Sequence, residues 1–493
     1  MKTNHFLLAT LLLAGLAMTS CKKEFEQVNT NPNSLEKADA TTLLSNTIVA
    51  EFYNNANLAW TLGNGISQQA TFSQSYYNQA ARYSPVTNEP YWITMYSAAR
   101  DANTLYSLGQ SGSNPLLQAA ALTLRSYAFA QLTELWGDIP FSEALQGASG
   151  VYTPRYDNQQ TVYLDPASGI LPSLRRADSL LKANPNGLIG GDMLFNSNTT
   201  AWRRFINALR LRYLLRVSAK TDVSAEMQAI VADGTLMTSA SQSGTLALPT
   251  TTPYNFVSLT ERSGDFAVKF MSSLLYSTFV ATGDSARVAA YFNVLPGTPQ
   301  GAAFSLNNYG GMPLVVDATS SQIAAASNFN PSFTNASNKS LIKARVITYA
   351  EQEFILAEAA LKGLIPGDPA VFYNAGVAGA YAEIGLDPST AASYLTHAGV
   401  AFDNSTQSAA LKQIITQKWV ANINNGFEGW IEYRRTGIPS LDPGGAANLN
   451  GGQIASRFLY PTTEKTINST NYNAEVQQMG GTETTTYKAW WEK

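Results

Sequence analysis

Residues 115–136 read PLLQAAALTLRSYAFAQLTELW, and the spacing of their apolar side chains decides the fold class. Leu117, Ala121, Leu124, Ala128, Leu132 and Leu135 recur at i, i+3/i+4, the period of one helix face. Trp136 and Gly137 close the run and Pro140 follows, as at a helix end. Working outward, similar periodicity predicts helices over 41–57, 64–81, 92–108, 166–183 and 199–218. The last of these carries Arg203, Arg204, Arg210, Arg212 and Arg216, expected either on a solvated face or paired with carboxylates. Towards the C-terminus, Thr348 and Glu351 have the spacing of a capping box ahead of a helix that stops near Gly363. Pro369 opens the next helix and Gly385 closes it. Together they resemble one tetratricopeptide (TPR) unit of about 34 residues, without its full consensus. A further helix is expected over about 406–423. The segment 235–340 differs: it is rich in Ser, Thr, Asn, Gly and Pro, with one clear helix near 265–280. The expected class is mainly α, with TPR-like helix pairs supporting an irregular, loop-rich part.

Composition removes several functions. Of 493 residues only 14% are charged, against roughly 25% in an average soluble chain. The presence of 24 Tyr, 21 Phe and 8 Trp argues against disorder over most of the length. Net charge is −3 and no dense basic run follows the first 25 residues, so a nucleic-acid partner is not expected. With one cysteine, Cys21, and two histidines, His5 and His397, a Cys/His zinc site cannot be assembled, and internal disulfides are excluded. No GxGxxG or P-loop follows a strand. No cofactor or metal is called for.

The N-terminus is a separate unit. Lys2, the apolar run Phe6–Met18 and the small residues Thr19 and Ser20 describe a secretory signal peptide over 1–20. The run is too short to span a bilayer, which takes about 20 apolar residues. Cys21 directly after it resembles the lipobox of bacterial lipoproteins, although Met18 stands where Leu is most usual. Acylated there, Cys21 would anchor the chain, since two or more acyl chains hold a protein firmly on a membrane. Residues 21–40 would then be lipidated cysteine and tether, with a single domain over 41–493.

Seven segments of the body and the tether, read in order, carry a resemblance. They are NTNPNS (29–34), WGDIPFSEAL (136–145), YDNQQTVY (156–163), AWRRFINALRLRYLLR (201–216), ITYAEQEFILAEA (347–359), TQKW (416–419), GWIEYRRTGIP (429–439) and RFLYPTTE (457–464). In this order they are similar to the SusD/RagB family of Bacteroidota outer-membrane lipoproteins, in its SusD-like branch. That resemblance implies a helical body with TPR-like pairs, a place on the cell surface over a SusC-type TonB-dependent transporter, and capture of oligosaccharides or other nutrients without catalysis. The glycan type does not carry over.

Within the resemblance, Arg434 and Arg435 with Glu432 read as a paired charge cluster. Trp490 and Trp491 read as anchors for the C-terminal tail, with contact to the transporter as the functional alternative. A sugar surface needs exposed rings for C–H faces and polar partners for hydroxyls. Three places offer them. In a helix over 64–81, Tyr76 and Tyr77 would point about 100° apart. Ile66, Ala70 and Tyr77 would face the core and Tyr76 with Gln69 another surface, followed by Arg82 and Tyr83. The second place is Tyr254, Asn255 and Phe256; the third is Asn307, Asn308 and Tyr309. Two other functions remain open at this stage. One is a glycoside hydrolase, for which Glu351, Glu353 and Glu358 share one helix, the first explicable by capping and the others by amphipathicity. The other is a TPR-like scaffold that binds only protein.

Overall fold

A computed structural model describes residues 39–492. The expected signal peptide over 1–20, the expected lipidation site Cys21 and the expected tether up to residue 38 lie outside the described residues.

Helix α1 (Ala40–Leu58) begins where the Asp39 carboxylate accepts from Thr42 N at 2.9 Å. It is followed by α2 (Glu89–Ser111) and α3 (Pro115–Trp136). The Asn114 side chain caps α3 by accepting from Leu116 N and Leu117 N at 3.1 and 3.0 Å. Gly137, at φ +86°, ends it in a conformation that side chains with a Cβ avoid. The sequence pattern predicts one apolar face for α3, but 19 of its 22 residues are buried. The helix is surrounded: α2 packs on one side and α4 (Ile170–Ala183) on another, with α5 (Thr199–Val217) beyond α4. The helix expected over 166–183 therefore starts later, because Asp165 accepts from Ala167 N and Ser168 N and holds a turn there.

The C-terminal helices repeat this antiparallel stacking. Helix α6 (Tyr349–Leu361) pairs with α7 (Pro369–Glu383), and α8 (Gln407–Ala421) lies across α6. Thr348 Oγ1 accepts from Glu351 N at 3.1 Å, but the Glu351 carboxylate does not close a capping box. It turns inward to Arg212 of α5, accepting at 2.7 and 2.6 Å. That contact belongs to a buried ion network through the centre of the helical part. Arg216 donates to Glu134 of α3 at 2.7 Å, and to Glu428 and Glu432 of α9 (Glu428–Thr436) at 2.8 and 2.5 Å. Arg435 donates to Glu358 at 2.6 Å and to Glu432 at 2.7 Å. The inner arginines of α5 are thus carboxylate partners, not a solvated face. Trp491 docks in the same core, with the Arg434 guanidinium 4.8 Å from its ring centroid, as expected of a tail anchor.

Of three two-stranded antiparallel sheets, two tie the loop-rich part to residues outside it. Strand β1 (Ala70–Phe72) pairs with β5 (Lys269–Met271) in the register Ala70↔Met271. The second such sheet pairs β4 (Gly244–Ala247) with β6 (Lys343–Ile347), while β2 (Ile139–Pro140) and β3 (Tyr156–Asp157) pair within the helical part. Two expectations fail here. A helix over 64–81 does not form: helical backbone stops at Ile66, Gln68 adopts φ +55°, and Ala70–Phe72 is strand. Apolar spacing was satisfied by either structure, and strand pairing with 269–271 wins. In 235–340 the helix expected near 265–280 forms a little later in the chain, and it is not the one clear helix there. Helices Ser273–Thr282 and Ser285–Tyr291 occupy the segment, together with shorter turns of helix at Ser263–Ala267 and Ser320–Ala324.

Candidate ligand-binding surface

Trp60 is the hub from which the loop-rich part is built. Its ring lies 4.9 Å from Phe329, 5.1 Å from Phe333, 5.8 Å from Phe256 and 5.9 Å from Phe266, the last stacked. Trp60 Nε1 donates to Glu261 at 3.0 Å, and Lys269, ion-paired to Glu261, sits 5.6 Å over the indole. Buried rings of this kind hold loops without secondary structure, because each aromatic side chain removes a large apolar area from water.

On this base three segments meet at the surface. Ser73 N donates to Val268 O at 2.9 Å, and Ala318 N donates to Ser73 O at 2.8 Å. Asn78 Nδ2 donates to Val315 O at 2.9 Å, and Ser75 N to Asp317 Oδ1 at 2.7 Å. Residues 73–79, 262–268 and 315–318 are thereby tied together. Tyr76 projects from the junction with 80% of its area exposed. It stands edge-on to Tyr77, ring centroids 5.1 Å apart and planes at 88°. Tyr77 is fixed in turn, because its hydroxyl donates to Asp265. Arg262 donates to the same carboxylate through Nε at 2.8 Å and Nη2 at 3.1 Å. The Arg262 and Tyr77 hydrogen bonds hold the Asp265 carboxyl below its usual range, and the bond to Asp265 pushes the Tyr77 phenol up. The result is a solvent-facing ring whose two chain neighbours are held by carboxylates, Ser75 by Asp317 and Tyr77 by Asp265, the latter also bound by Arg262.

The other sequence candidates divide sharply. Gln69 is buried and donates to Trp419 O at 2.6 Å. Arg82 is buried and donates to Ala447 O at 2.7 Å; Tyr83, also buried, accepts from Gln68 Nε2 at 2.9 Å. Asn255 and Phe256 are buried, the former donating to Thr260 Oγ1 at 3.0 Å, the latter on Trp60. Tyr309 is buried as well. These six side chains build the scaffold, since a polar group taken from water keeps a partner inside. Tyr254 is 46% exposed, and the half-buried Asn308 donates to Ala303 O at 3.2 Å. Sequence reasoning assigned Tyr77 to a helix core face and missed Arg262, Asp265 and Asp317. The i, i+3 spacing of Arg262 and Asp265 is a signal that was available; their contact with Tyr77, across 188 residues, was not.

Two further places lack the features of a sugar platform or a catalytic site. A groove of about 820 Å³ between 273–282, 407–421 and 437–440 has Tyr373 as its one lining ring, and that ring is buried. The acids of α6 face inward: Glu351 and Glu358 are paired with arginines, so amphipathicity does not account for Glu358. Among the described residues, no helix is long and apolar enough to cross a membrane, and no group of three or more His, Cys, Asp or Glu could hold a metal.

Comparison with known proteins supplies the family. Residues 32–461 match the SusD-like family model described as starch-binding and associating with the outer membrane. No curated protein matches. Among solved structures, a Bacteroides vulgatus protein, provisionally described as an outer-membrane protein involved in nutrient binding, is 26% identical with a TM-score of 0.77. The match covers 92% of this chain and 100% of that one. A SusD homologue of Bacteroides fragilis is 24% identical (TM-score 0.78), over 93% of this chain and 100% of that one. A chitin-binding SusD homologue of Flavobacterium johnsoniae is 22% identical (TM-score 0.74), over 91% and 98%. The SusD-like family is non-catalytic and works in nutrient binding at the outer membrane. Since the family match spans both the helical core and the loop-rich part, the chain belongs to the SusD-like family.

Proposed function

We propose that this chain captures oligosaccharides on the Tyr76–Tyr77 surface and delivers them to a SusC-type TonB-dependent transporter. The organisation that goes with it is a signal peptide over 1–20, a lipidated Cys21 with its tether through residue 40, and one domain from 41 to 493. The observation that carries the reading is Tyr76: a ring left 80% exposed in a chain that buries most of its aromatics, on a neighbour locked by Asp265. A sugar's C–H face stacks on such a ring, while Arg262 and Asp317 supply a donor and an acceptor to its hydroxyls. The family description names starch, and one structural relative is described as chitin-binding, which makes these two glycans the first to try. Affinity should be modest, because hydrogen bonds exchanged with water contribute only about 0.5–1.5 kcal/mol each.

Isothermal titration of the mature protein with malto-oligosaccharides, chito-oligosaccharides and short peptides tests this. Binding to at least one sugar series, weakened about tenfold in Tyr76→Ala, is expected. Absence of binding to every sugar would overturn it, and binding to peptides alone would move the reading to another nutrient class. Attachment is tested separately: Cys21→Ala should leave an unlipidated precursor that no longer fractionates with membranes, and retention there would sink the anchor.

A further inference from the structure

The loop between α4 and α5 carries Leu188, which has 83% of its area in solvent, more than any other large apolar side chain among the described residues. Met193 in the same loop is 50% exposed. The loop is not slack. Ile189, between them, is buried, and its N–H and C=O are held by the Ser197 hydroxyl at 3.0 and 3.1 Å. The Asp192 carboxylate turns inward and accepts from Leu194 N, Phe195 N, Ser197 N and Trp202 Nε1 at 2.8, 3.1, 2.8 and 2.8 Å. Gly187 lies so close to Leu116, and Gly191 so close to the Thr41 carbonyl, that a Cβ at either position would overlap its neighbour. Ser45 Oγ donates to Gly191 O at 2.9 Å. Leu188 and Met193 thus project from a fixed loop that is bound to the first turns of α1.

The surface around them is nearly free of charge. Residues 184–198 read NPNGLIGGDMLFNSN, with Asp192 as the one charged residue, and residues 40–50 of α1 have none. At the edges, Asp39 accepts from Thr42 and Lys182 pairs with Asp233. Taking an unpaired charge out of water is costly, so a face of apolar, hydroxyl and amide groups is suited to lie against lipid. Its place in the chain fits that occupant. The described body begins at Asp39, two residues before Thr41, and residues 22–38 separate it from Cys21, a reach of at most about 65 Å fully extended. The proposed anchor therefore delivers this face to the bilayer, however the rest is turned. From this we infer that Leu188 and Met193 insert into the membrane surface and set the orientation of the body on it. The inference rests on the proposed lipidation of Cys21 and adds a second, non-covalent contact. Two apolar side chains do not hold a free protein on a membrane. Once acyl chains hold it there, the contact becomes intramolecular, and a weak one suffices to orient the body.

Site-directed fluorescence tests this. The chain has one cysteine, Cys21, whose sulfur the acyl anchor takes up, so Leu188→Cys, Met193→Cys and the control Val371→Cys each take a single label. Val371 is an exposed apolar side chain on α7, in another part of the helical body. The lipoproteins, labelled with nitrobenzoxadiazole, are reconstituted in vesicles of phosphatidylethanolamine and phosphatidylglycerol, with and without doxyl-labelled lipid, and unfolding midpoints check each fold. Labels at 188 and 193 should shift to the blue on reconstitution. They should also lose about twofold or more of their intensity to a doxyl group near the headgroups, since interfacial side chains sit about 5–10 Å deep. The label at 371 should do neither. Labels at 188 and 193 that behave like the one at 371 overturn the inference. So does a blue shift that appears without lipid as protein concentration rises, which would make the face a contact between copies, or one that needs added transporter. The same series in Cys21→Ala chains, held on nickel-chelating lipid through an N-terminal histidine tag, separates the two readings. Insertion there, with a native chain that carries no lipid, brings down the anchor and keeps the face; no insertion in either form brings down the face and leaves the anchor standing.

Discussion

In the helical part, Arg212 and Arg216 of α5 reach Glu134, Glu351, Glu428 and Glu432 on three other helices, and every one of these groups is buried. In the loop-rich part, the corresponding centre is Trp60, surrounded by four phenylalanines, with Tyr76 and Tyr254 left facing solvent above it. One region uses its polar groups inward and presents little chemistry; the other fixes itself with rings and presents rings. The difference follows from what each has to hold. Helices satisfy their own backbone and need only side-chain registration, for which directional ion pairs are suited. Loops need a large apolar area to offset the entropy of ordering, and aromatics supply it.

The largest effect should come from breaking the inward network. Arg216→Met keeps bulk but strands Glu134, Glu428 and Glu432 with one fewer cation, and removing one partner of a buried ion network costs about 3–5 kcal/mol. Urea unfolding should show that loss, while the remaining folded protein binds sugar with wild-type affinity. A loss below about 1 kcal/mol would deny the network its structural role.

Trp60→Ala attacks the other centre. Emptying a buried indole costs about 3 kcal/mol or more. Unlike Arg216→Met, this variant should also weaken sugar binding, since Phe266, the neighbour of the Asp265 that holds Tyr77, packs on the missing ring. If affinity survived while stability fell, the Tyr76–Tyr77 surface would be held by its own hydrogen bonds and the contrast between the two regions would weaken.

These centres also mark what could be read from sequence. Helix ends at Gly137, Gly363 and Gly385 and the helix starts at Thr348 and Pro369 were legible because they are local: each depends on residues within one turn. Of the expected Arg434–Arg435–Glu432 cluster, the Arg435–Glu432 pair was legible for the same reason, being i, i+3 and 2.7 Å apart, whereas Arg434 pairs instead with Glu492, 58 residues on. The segment 64–81 was not. Its apolar spacing suits helix or strand, and the decision came from 269–271, two hundred residues away. The site suffered likewise. Tyr76 could be named, but whether Gln69, Arg82 and Tyr83 faced solvent depended on partners at 419, 447 and 68 across an unforeseen turn. Aromatic and amide composition marks a sugar surface only after folding has separated rings that build from rings that present.

Within the helical part, Glu353 is an exception that pH exposes. It lies on the same helix as Glu351 and Glu358, yet it has no cation beside it; burial pushes its carboxyl up to about 7, against the Gln352 hydrogen bond that favours the anion. Glu358, by contrast, is held at about 2, because Arg435 and Lys362 outweigh its burial. For a raised carboxyl the folded state keeps a proton that the unfolded state has released. Stability from Glu353 is therefore fully present below about pH 4.5 and lost as pH rises to about 7, by about 1–3 kcal/mol. Glu353→Gln should flatten that part of the pH–stability profile and leave the loss of Glu358 stabilisation at lower pH in place. An unaltered slope between pH 4.5 and 7 would remove Glu353 as its source.

The smallest change in stability belongs to the residue with the largest proposed role in binding. Tyr76 has 80% of its area in solvent and contributes to the fold only an edge contact with Tyr77, so Tyr76→Ala should shift unfolding by less than about 0.5 kcal/mol. Tyr77 is different: Tyr77→Phe removes the hydroxyl bonded to Asp265 and leaves Arg262 to hold that carboxylate alone. A larger loss than in Tyr76→Ala is expected there, because a hydrogen bond that ties two segments together disappears. Measured side by side, the pair separates a ring that presents from a ring that supports. If Tyr76→Ala destabilised the protein as much as Tyr77→Phe does, Tyr76 would be part of the packing, and the division between an inward-facing core and an outward-facing platform would fail at the residue on which it most depends.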